Sequence, residues 1–412
     1  MVAKRFSRRA VLAASAILPL VPTFARAQSD KPLSIGVVGP FSGPQARQVD
    51  EMTRGIELAV DEANFAGGIL GRRIQVVKGD AVNPQQAISA VEKLATQDEV
   101  DLFVGTWASA ISNTASDSAM RNNKVYWETL CLANDLTERG LPNFFRSGPN
   151  ARIYGEAAVE TIQGLAGRVL KKDVKDVKVW IEHEDSNYGT SVAQAQSAAF
   201  KKLGAQVVGI GAHPANAIDL SDAILRARGT NPDVWINNGV SSDSNLLMRA
   251  ARDQGFVPAI MLFTGQADTP EILESLGAKY LDGILVLTYP RPDLSPTYGP
   301  GTEAFLAAYG KKYSGGNVTV QAMSAYVGVQ ILFEALRNAQ SLEIDPVRAA
   351  VAALDKPEGS YCTGYGVKFD ENMTNLRARP LVSQWQNGKV VTVFPDRAIR
   401  PGAGLINLPR RA

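Results

Sequence analysis

The sequence predicts an α/β protein built as two doubly wound parallel-sheet lobes. Three features carry that expectation. Short apolar runs of strand length alternate with helix-period patterns. The alternation runs once to about Pro149 and then begins again. Gly, Pro and Asn punctuate the strand and helix ends. A chain of 412 residues is long enough for two or three hydrophobic cores, and its 45% hydrophobic and 20% charged content is that of a globular protein.

In the first half, Leu33–Val38 reads as a buried strand. Met52, Ile56, Ala59 and Ala63 mark one face of a helix that Gly67-Gly68 stops. Arg73–Lys78 is the next strand, and Asn83-Pro84 opens a helix with Asn as cap and Pro at the first position. Val100–Val104 is a strand, a helix begins near Ser109, and Val125–Trp127 is a strand again. In the second half, Val177–Glu182, Gln206–Ile210, Val234–Asn237, Ile260–Phe263 and Gly283–Thr288 read as strands. Helices are expected at Tyr188–Leu203, Leu220–Arg226 and Asn245–Gln254. Tyr326, Val329, Phe333 and Leu336 share a helical face. Leu381–Phe394 reads as a hairpin turning at Asn387-Gly388. The stretch after Pro395, rich in Pro, Gly and Arg, reads as a loose tail. Parallel sheets of this kind bind ligands at the carboxyl ends of their strands.

The first 27 residues form a three-part export signal: a basic start, an apolar run over Ala10–Pro22, and Ala25-Arg26-Ala27 before the expected cleavage ahead of Gln28. Ser7-Arg8-Arg9-Ala10-Val11-Leu12 resembles the twin-arginine variant. No cysteine lies near the cleavage point, which argues against a lipid anchor. Lys4, Arg5, Arg8, Arg9 and Arg26 are the segment's charges; taking these five positive charges from the formal +2 leaves the remainder at −3. That balance gives no basis for binding nucleic acid or an anionic membrane.

Catalytic and metal patterns are weak. His183, within Glu182-His183-Glu184-Asp185, reads as a polar strand end, and His213 stands alone in sequence. There is no Gly-Lys-Ser/Thr phosphate loop and no Gly-x-Ser-x-Gly elbow; Gly209-Ile210-Gly211 lacks the third glycine of a dinucleotide fingerprint. No cofactor or metal is expected. Cys131 and Cys362 leave open both a bridge and two separate thiols.

Several segments in order resemble the type I periplasmic solute-binding proteins of ABC transporters, in particular the leucine/isoleucine/valine-binding group. They are Ile35–Pro44 (IGVVGPFSGP), Ala66–Gly71 (AGGILG), Gly79-Asp80-Ala81 with Pro84–Ala87, Leu136–Gly140, Asn143–Arg146, Tyr188-Gly189 and the hairpin to Gln384-Trp385. The resemblance covers nearly all of the chain after the signal. It implies two lobes joined by three crossover segments, with residues 32–147 and 284–373 in the first lobe, 148–283 and 374–396 in the second, and a tail over 397–412. It implies a periplasmic monomer that captures a small-molecule solute for an inner-membrane ABC permease. A ligand sensor of the same fold and an α/β enzyme stand as alternatives.

The resemblance also assigns a site. The family's carboxylate-binding serine falls at Ser109, at a helix start, where a plain capping role is the competing reading. The next pocket segment maps to Leu130, Cys131 and Leu132, with Leu132 replacing a threonine. Tyr188 matches an aromatic of the second lobe. The acid that holds a ligand ammonium falls at Ala267, between Gln266 and Asp268, so that a slip of one or two positions would bring in Asp268. Aromatic pocket positions fall at Gln48, at Val240 or Ser241, and at Gln321. Trp107, Trp127, Glu128 and Trp235 lie near strand ends, with cleft and core roles both open. The family disulfide positions read Val82 and Ala108, so that bond is not expected.

Overall fold

A computed structural model of the chain describes residues 31–314 and 318–406. The export signal therefore lies outside the described residues. The first sheet is laid down by β1 (Leu33–Gly39), β2 (Ile74–Asp80), β3 (Leu102–Gly105), β4 (Tyr126–Glu128) and β5 (Phe144–Arg146). Helices α1 (Ala46–Phe65), α2 (Pro84–Thr96), α3 (Ser109–Arg121) and α4 (Asp135–Glu138) join them. The strands are all parallel, in the order β2-β1-β3-β4-β5.

The second lobe repeats the plan. It begins with α5 (Ala151–Leu165) and continues through β6 (Lys178–Glu184), α6 (Asn187–Leu203), β7 (Gln206–His213), α7 (Ser221–Gly229) and β8 (Val234–Gly239). Then follow α8 (Ser241–Asp253), β9 (Ile260–Gly265), α9 (Pro270–Leu276), α10 (Ala278–Leu281) and β10 (Leu285–Thr288). The chain returns to the first lobe through α11 (Thr302–Lys312), α12 (Val320–Ala339), α13 (Ile344–Ala352), β11 (Asp355–Lys356) and β12 (Val367–Lys368). It ends with β13 (Leu381–Gln386) and β14 (Lys389–Phe394), which complete a seven-stranded sheet of order β14-β13-β10-β9-β8-β6-β7.

The sequence explains which strands are central. Leu33, Ile35, Val37 and Val38 of β1 are all buried, because helices cover both faces of the sheet. Edge strand β7 alternates instead, and its Ile210 is 45% exposed. Asn83 caps α2 by accepting from the Gln86 amide at 2.9 Å, with Pro84 behind it as expected. Asn387 and Gly388 take φ of 50° and 76°, the paired left-handed geometry that a two-residue hairpin loop needs. α1 lies so close to α12 that a Cβ on Gly55 would sit 2.0 Å from the Ala322 carbonyl oxygen.

Four expectations are corrected. The lobe boundary at 284 moves, because β10 pairs with β9 and β13 and so belongs to the second sheet; the chain crosses back only after Thr288. The boundary at 373 moves as well, since Thr374 still bridges Arg146 at the edge of the first sheet. α8 starts at Ser241, four residues before its apolar periodicity begins, because Asp243 accepts from the Val240 amide at 2.7 Å and starts the helix there. The tail is tied down as far as it is described. Ile406 N donates to Gln384 Oε1 at 3.0 Å, Gln386 donates to Gly404 O at 2.8 Å, and Arg400 donates to Leu294 O at 3.0 Å.

Candidate functional site: a cleft between two switch points

The parallel strands of each sheet reverse their winding once; in the second sheet the antiparallel pair β13 and β14 is added beyond β10. In the first sheet β1 lies between β2 and β3; in the second, β6 lies between β7 and β8. At such a switch point the loops leave in opposite directions and open a crevice at the strand ends. Gln48, in the first turn of α1, and Ser109, at the start of α3, flank the first. Tyr188, in the first turn of α6, and Val240 and Ser241, at the start of α8, flank the second. These residues lie on four separate segments of the sequence, and the topology puts them at the two crevice mouths.

The mouths face each other, and hydrogen bonds join them. On one side Gln48 Nε2 donates to Gln266 Oε1 at 3.4 Å, and the exposed Arg47 pairs with Glu271. On the other the Asn134 amide donates to Ser191 Oγ at 3.0 Å, and Asn187 Nδ2 stands 3.3 Å from Asp135. The lobes are thus closed on each other. Asn134, Asp135 and Asn187, at helix starts, and Ser191, one turn into α6, carry no pattern in the sequence that pairs them.

Ser109 is buried and is the first residue of α3. The N-cap is Ala108, whose side chain caps nothing, so the capping reading of Ser109 is corrected. Ser109 Oγ accepts from the Ala133 amide at 3.3 Å. An uncapped helix start with a hydroxyl beside it favours an anion, because its first amides have no intrahelical partner.

Leu130 and Leu132 are buried, and their backbones are committed. Leu130 N donates to Glu128 Oε1 at 3.0 Å, Leu130 O accepts from the Tyr289 hydroxyl, and Leu132 O accepts from Ala151 N at 2.7 Å. Trp107 is half-buried against the core, whereas Trp127 and Trp235 are wholly buried and take the core role. Gln321 is half-buried in the first turn of α12 and joins none of the cross-cleft contacts. Tyr188 OH lies 3.5 Å from Thr264 Oγ1. Glu184 accepts from Ser186 N at 2.7 Å and Gly189 N at 3.1 Å and so fixes the start of α6.

Asp268 is nearly buried and already engaged: Arg291 donates to it at 2.5 Å. Burial pushes its carboxyl up despite that cation. Ala267, at the family's acidic position, is wholly buried and offers no charge.

Two buried titratable groups stand at strand ends, one in each lobe. Glu128, wholly buried, accepts from Thr106 N at 2.8 Å, Ser112 Oγ at 2.5 Å, and the amides of Thr129 and Cys131 at 2.9 and 3.2 Å, besides Leu130. In the second lobe His213 lies between Glu182 (3.1 Å) and Asp243 (3.2 Å), so the reading of His213 as a solitary residue is corrected. Its carboxylates come from β6 and α8, about 30 residues distant in the chain, and no local motif signals them. Cys131 and Cys362 are separate buried thiols. Among the described residues no group of metal-ligating side chains and no helix suited to cross a membrane is present.

Two α/β lobes, crossed by the chain at 147–150, 289–301 and 376–380 and joined by hydrogen bonds between their switch points, have the architecture of a two-lobed receptor for a small molecule. The model of a family described as periplasmic binding protein matches residues 32–386. A Leu/Ile/Val-binding protein homolog 7 of Brucella suis biovar 1 is 34% identical over 94% of this chain and 97% of the relative. A Leu/Ile/Val-binding protein homolog 8 of Brucella abortus is 35% identical over 96% and 98%. The chain belongs to the periplasmic binding protein family, and it is the substrate-binding component of an ABC transporter. The fold is that of a leucine binding protein from Thermotoga maritima (TM-score 0.76, 22% identity, 90% of this chain and 99% of that one). A solute binding protein of R. palustris, solved with 4-hydroxybenzoate, shares it too (TM-score 0.72, 18% identity, 92% and 98%). The family is one of binding proteins, not enzymes, and it works outside the cytoplasmic membrane.

Proposed function

We propose that the cleft captures a small organic acid with an apolar body and delivers it, as a periplasmic monomer, to an inner-membrane permease. The observation that carries this is Ser109 at the uncapped start of α3, beside the first switch point. There the hydroxyl and the first amides of the helix hold the carboxylate, while Leu130, Leu132 and Trp107 line the apolar part. An ammonium group would be costly to bury without an anionic partner. Ala267 supplies none and Asp268 is paired with Arg291. Tyr188, Val240, Gln48, Gln266 and Gln321 complete the lining. Mass spectrometry of ligand released from denatured protein, followed by calorimetry, tests the reading: an organic acid is expected, and nanomolar leucine binding with no response to organic acids overturns it.

The names of the Brucella relatives favour a second reading, in which the solute is leucine, isoleucine or valine and Asp268 exchanges Arg291 for the ammonium. The same titration separates the two. Export rests on the twin-arginine-like signal with cleavage after Ala27; N-terminal sequencing of the exported protein should begin at Gln28.

A further inference from the structure

Gln266 follows β9 directly and is 5% exposed. Its Oε1 accepts from two sides: Ser241 N at 3.4 Å and Gln48 Nε2 at 3.4 Å. The first contact fixes the carboxamide, because a backbone N–H can only donate, so the oxygen must face Ser241 and Nε2 must face away. The orientation of Gln48 follows: its Nε2 is used on Gln266, and its Oε1 points elsewhere. Both leftover atoms, Gln266 Nε2 and Gln48 Oε1, are buried and have no partner. Buried polar atoms are nearly always satisfied, and these two differ from the unpartnered atoms of the core in lying together at a contact between the lobes.

The two vacant atoms are of opposite kind. Gln266 Nε2 needs an acceptor and Gln48 Oε1 needs a donor. A methyl group would satisfy neither. A carboxylate could answer only the first, and an ammonium only the second. A hydroxyl does both, since it carries one donor and two acceptor lone pairs. Gln48, in the first turn of α1, and Ser109, at the start of α3, follow adjacent strands β1 and β3 of the first sheet, while Gln266 follows β9 of the second. The Arg47–Glu271 pair lies on the solvent side of this contact.

We infer that the solute is a hydroxy acid whose uncharged hydroxyl is read by Gln48 and Gln266, one residue from each lobe. This rests on the carboxylate reading of Ser109 and goes beyond it, because it specifies the ligand's second polar group. It also gives closure a chemical trigger, since only the closed cleft brings the two amides together.

The test uses the ligand-free, full-length exported chain and calorimetric titration with two matched sets of probes. The first set is 4-methylpentanoate, 2-hydroxy-4-methylpentanoate and leucine. The second is benzoate and 4-hydroxybenzoate. In at least one set the hydroxy acid should bind about tenfold or more tighter than its parent, because a site built to hydrogen-bond a hydroxyl rejects the analogue that lacks it. Leucine should bind no tighter than its hydroxy analogue. Gln266→Leu should shrink the hydroxyl advantage to within about twofold, even where the lost contact between the lobes weakens parent and hydroxy acids together. Gln48→Leu, in the other lobe, should do the same, and thermal melts of both report folding. Ser109→Ala should weaken parent and hydroxy acids alike. Equal binding of parent and hydroxy acids in both sets overturns the inference and leaves the carboxylate reading standing. Leucine as the tightest probe, or no binding of any acid, overturns both.

Discussion

Glu128 and Arg146 are register partners in adjacent strands, and they hold one loop by opposite ends of its peptide groups. Glu128 takes the amides of Thr129, Leu130 and Cys131; Arg146 donates to the carbonyls of Cys131 and Ala133, at 3.2 and 2.6 Å. Burial pulls the Arg146 guanidinium down to about 10 and pushes the Glu128 carboxyl up. The loop they fix carries Leu130 and Leu132, and Glu128 also anchors Thr106 and Ser112 on either side of Ser109.

Removing Glu128 therefore strips acceptors from both pocket loops. Glu128→Ala should lower unfolding stability by about 3–5 kcal/mol, the range for breaking a buried charged network. Glu128→Gln, which keeps one carbonyl acceptor, should cost less. Urea unfolding curves check this; an alanine variant within about 0.5 kcal/mol of wild type would refute the anchoring role.

Ser109→Ala should act on binding more than on folding. The hydroxyl is not a cap, and its contact with Ala133 N is long at 3.3 Å, so stability should fall by no more than about 1 kcal/mol. Affinity for the carboxylate ligand should fall roughly ten- to a hundredfold, the equivalent of about 1.5–3 kcal/mol for hydrogen bonds to a charged group. Calorimetry beside unfolding curves separates the two, and a loss of stability with unchanged affinity would remove Ser109 from the site.

His213 should make stability pH-dependent on the alkaline side. Burial opposes its protonation, but hydrogen bonds to Asp243 and Glu182 outweigh it and raise the imidazolium to about 9. Arg226 also approaches Glu182, at 3.6 Å, and Trp180 Nε1 donates to it. Because the folded value exceeds the unfolded one of about 6.5, the contribution is complete below pH about 6.5 and is lost as pH rises through about 9. Thermal melts between those limits should show a fall in midpoint that His213→Gln lacks. Parallel curves for the two proteins would count against the coupling.

Asp135 holds Asn187 across the cleft on the side away from Gln48. Asp135→Ala removes a contact made only when the lobes are closed, so it should weaken ligand binding severalfold, about 0.5–1.5 kcal/mol, by depopulating the closed state. Small-angle scattering without ligand should show a larger radius of gyration than wild type. An unchanged affinity and radius would mean that this pair does not contribute to closure.

The sequence by itself determined the local structure. Apolar runs bounded by turn residues marked the sheet strands, because a strand buried on both faces needs continuous apolar side chains. Asn83-Pro84 and Asn387-Gly388 marked a helix start and a hairpin, because their backbone preferences are local. The ordered segments from Ile35–Pro44 onward were enough for the family. Only the tertiary structure decided what lies opposite what. β10 joined the second sheet by hydrogen bonding to β9 and β13, which no pattern within Leu285–Thr288 encodes. Gln48 met Gln266 across 218 residues, Arg291 occupied Asp268, and His213 acquired two carboxylates. Helix and strand periods report contacts within a few residues, whereas a cleft is made where switch points of two separate sheets face each other. Its polar contacts are therefore set by the packing of whole lobes.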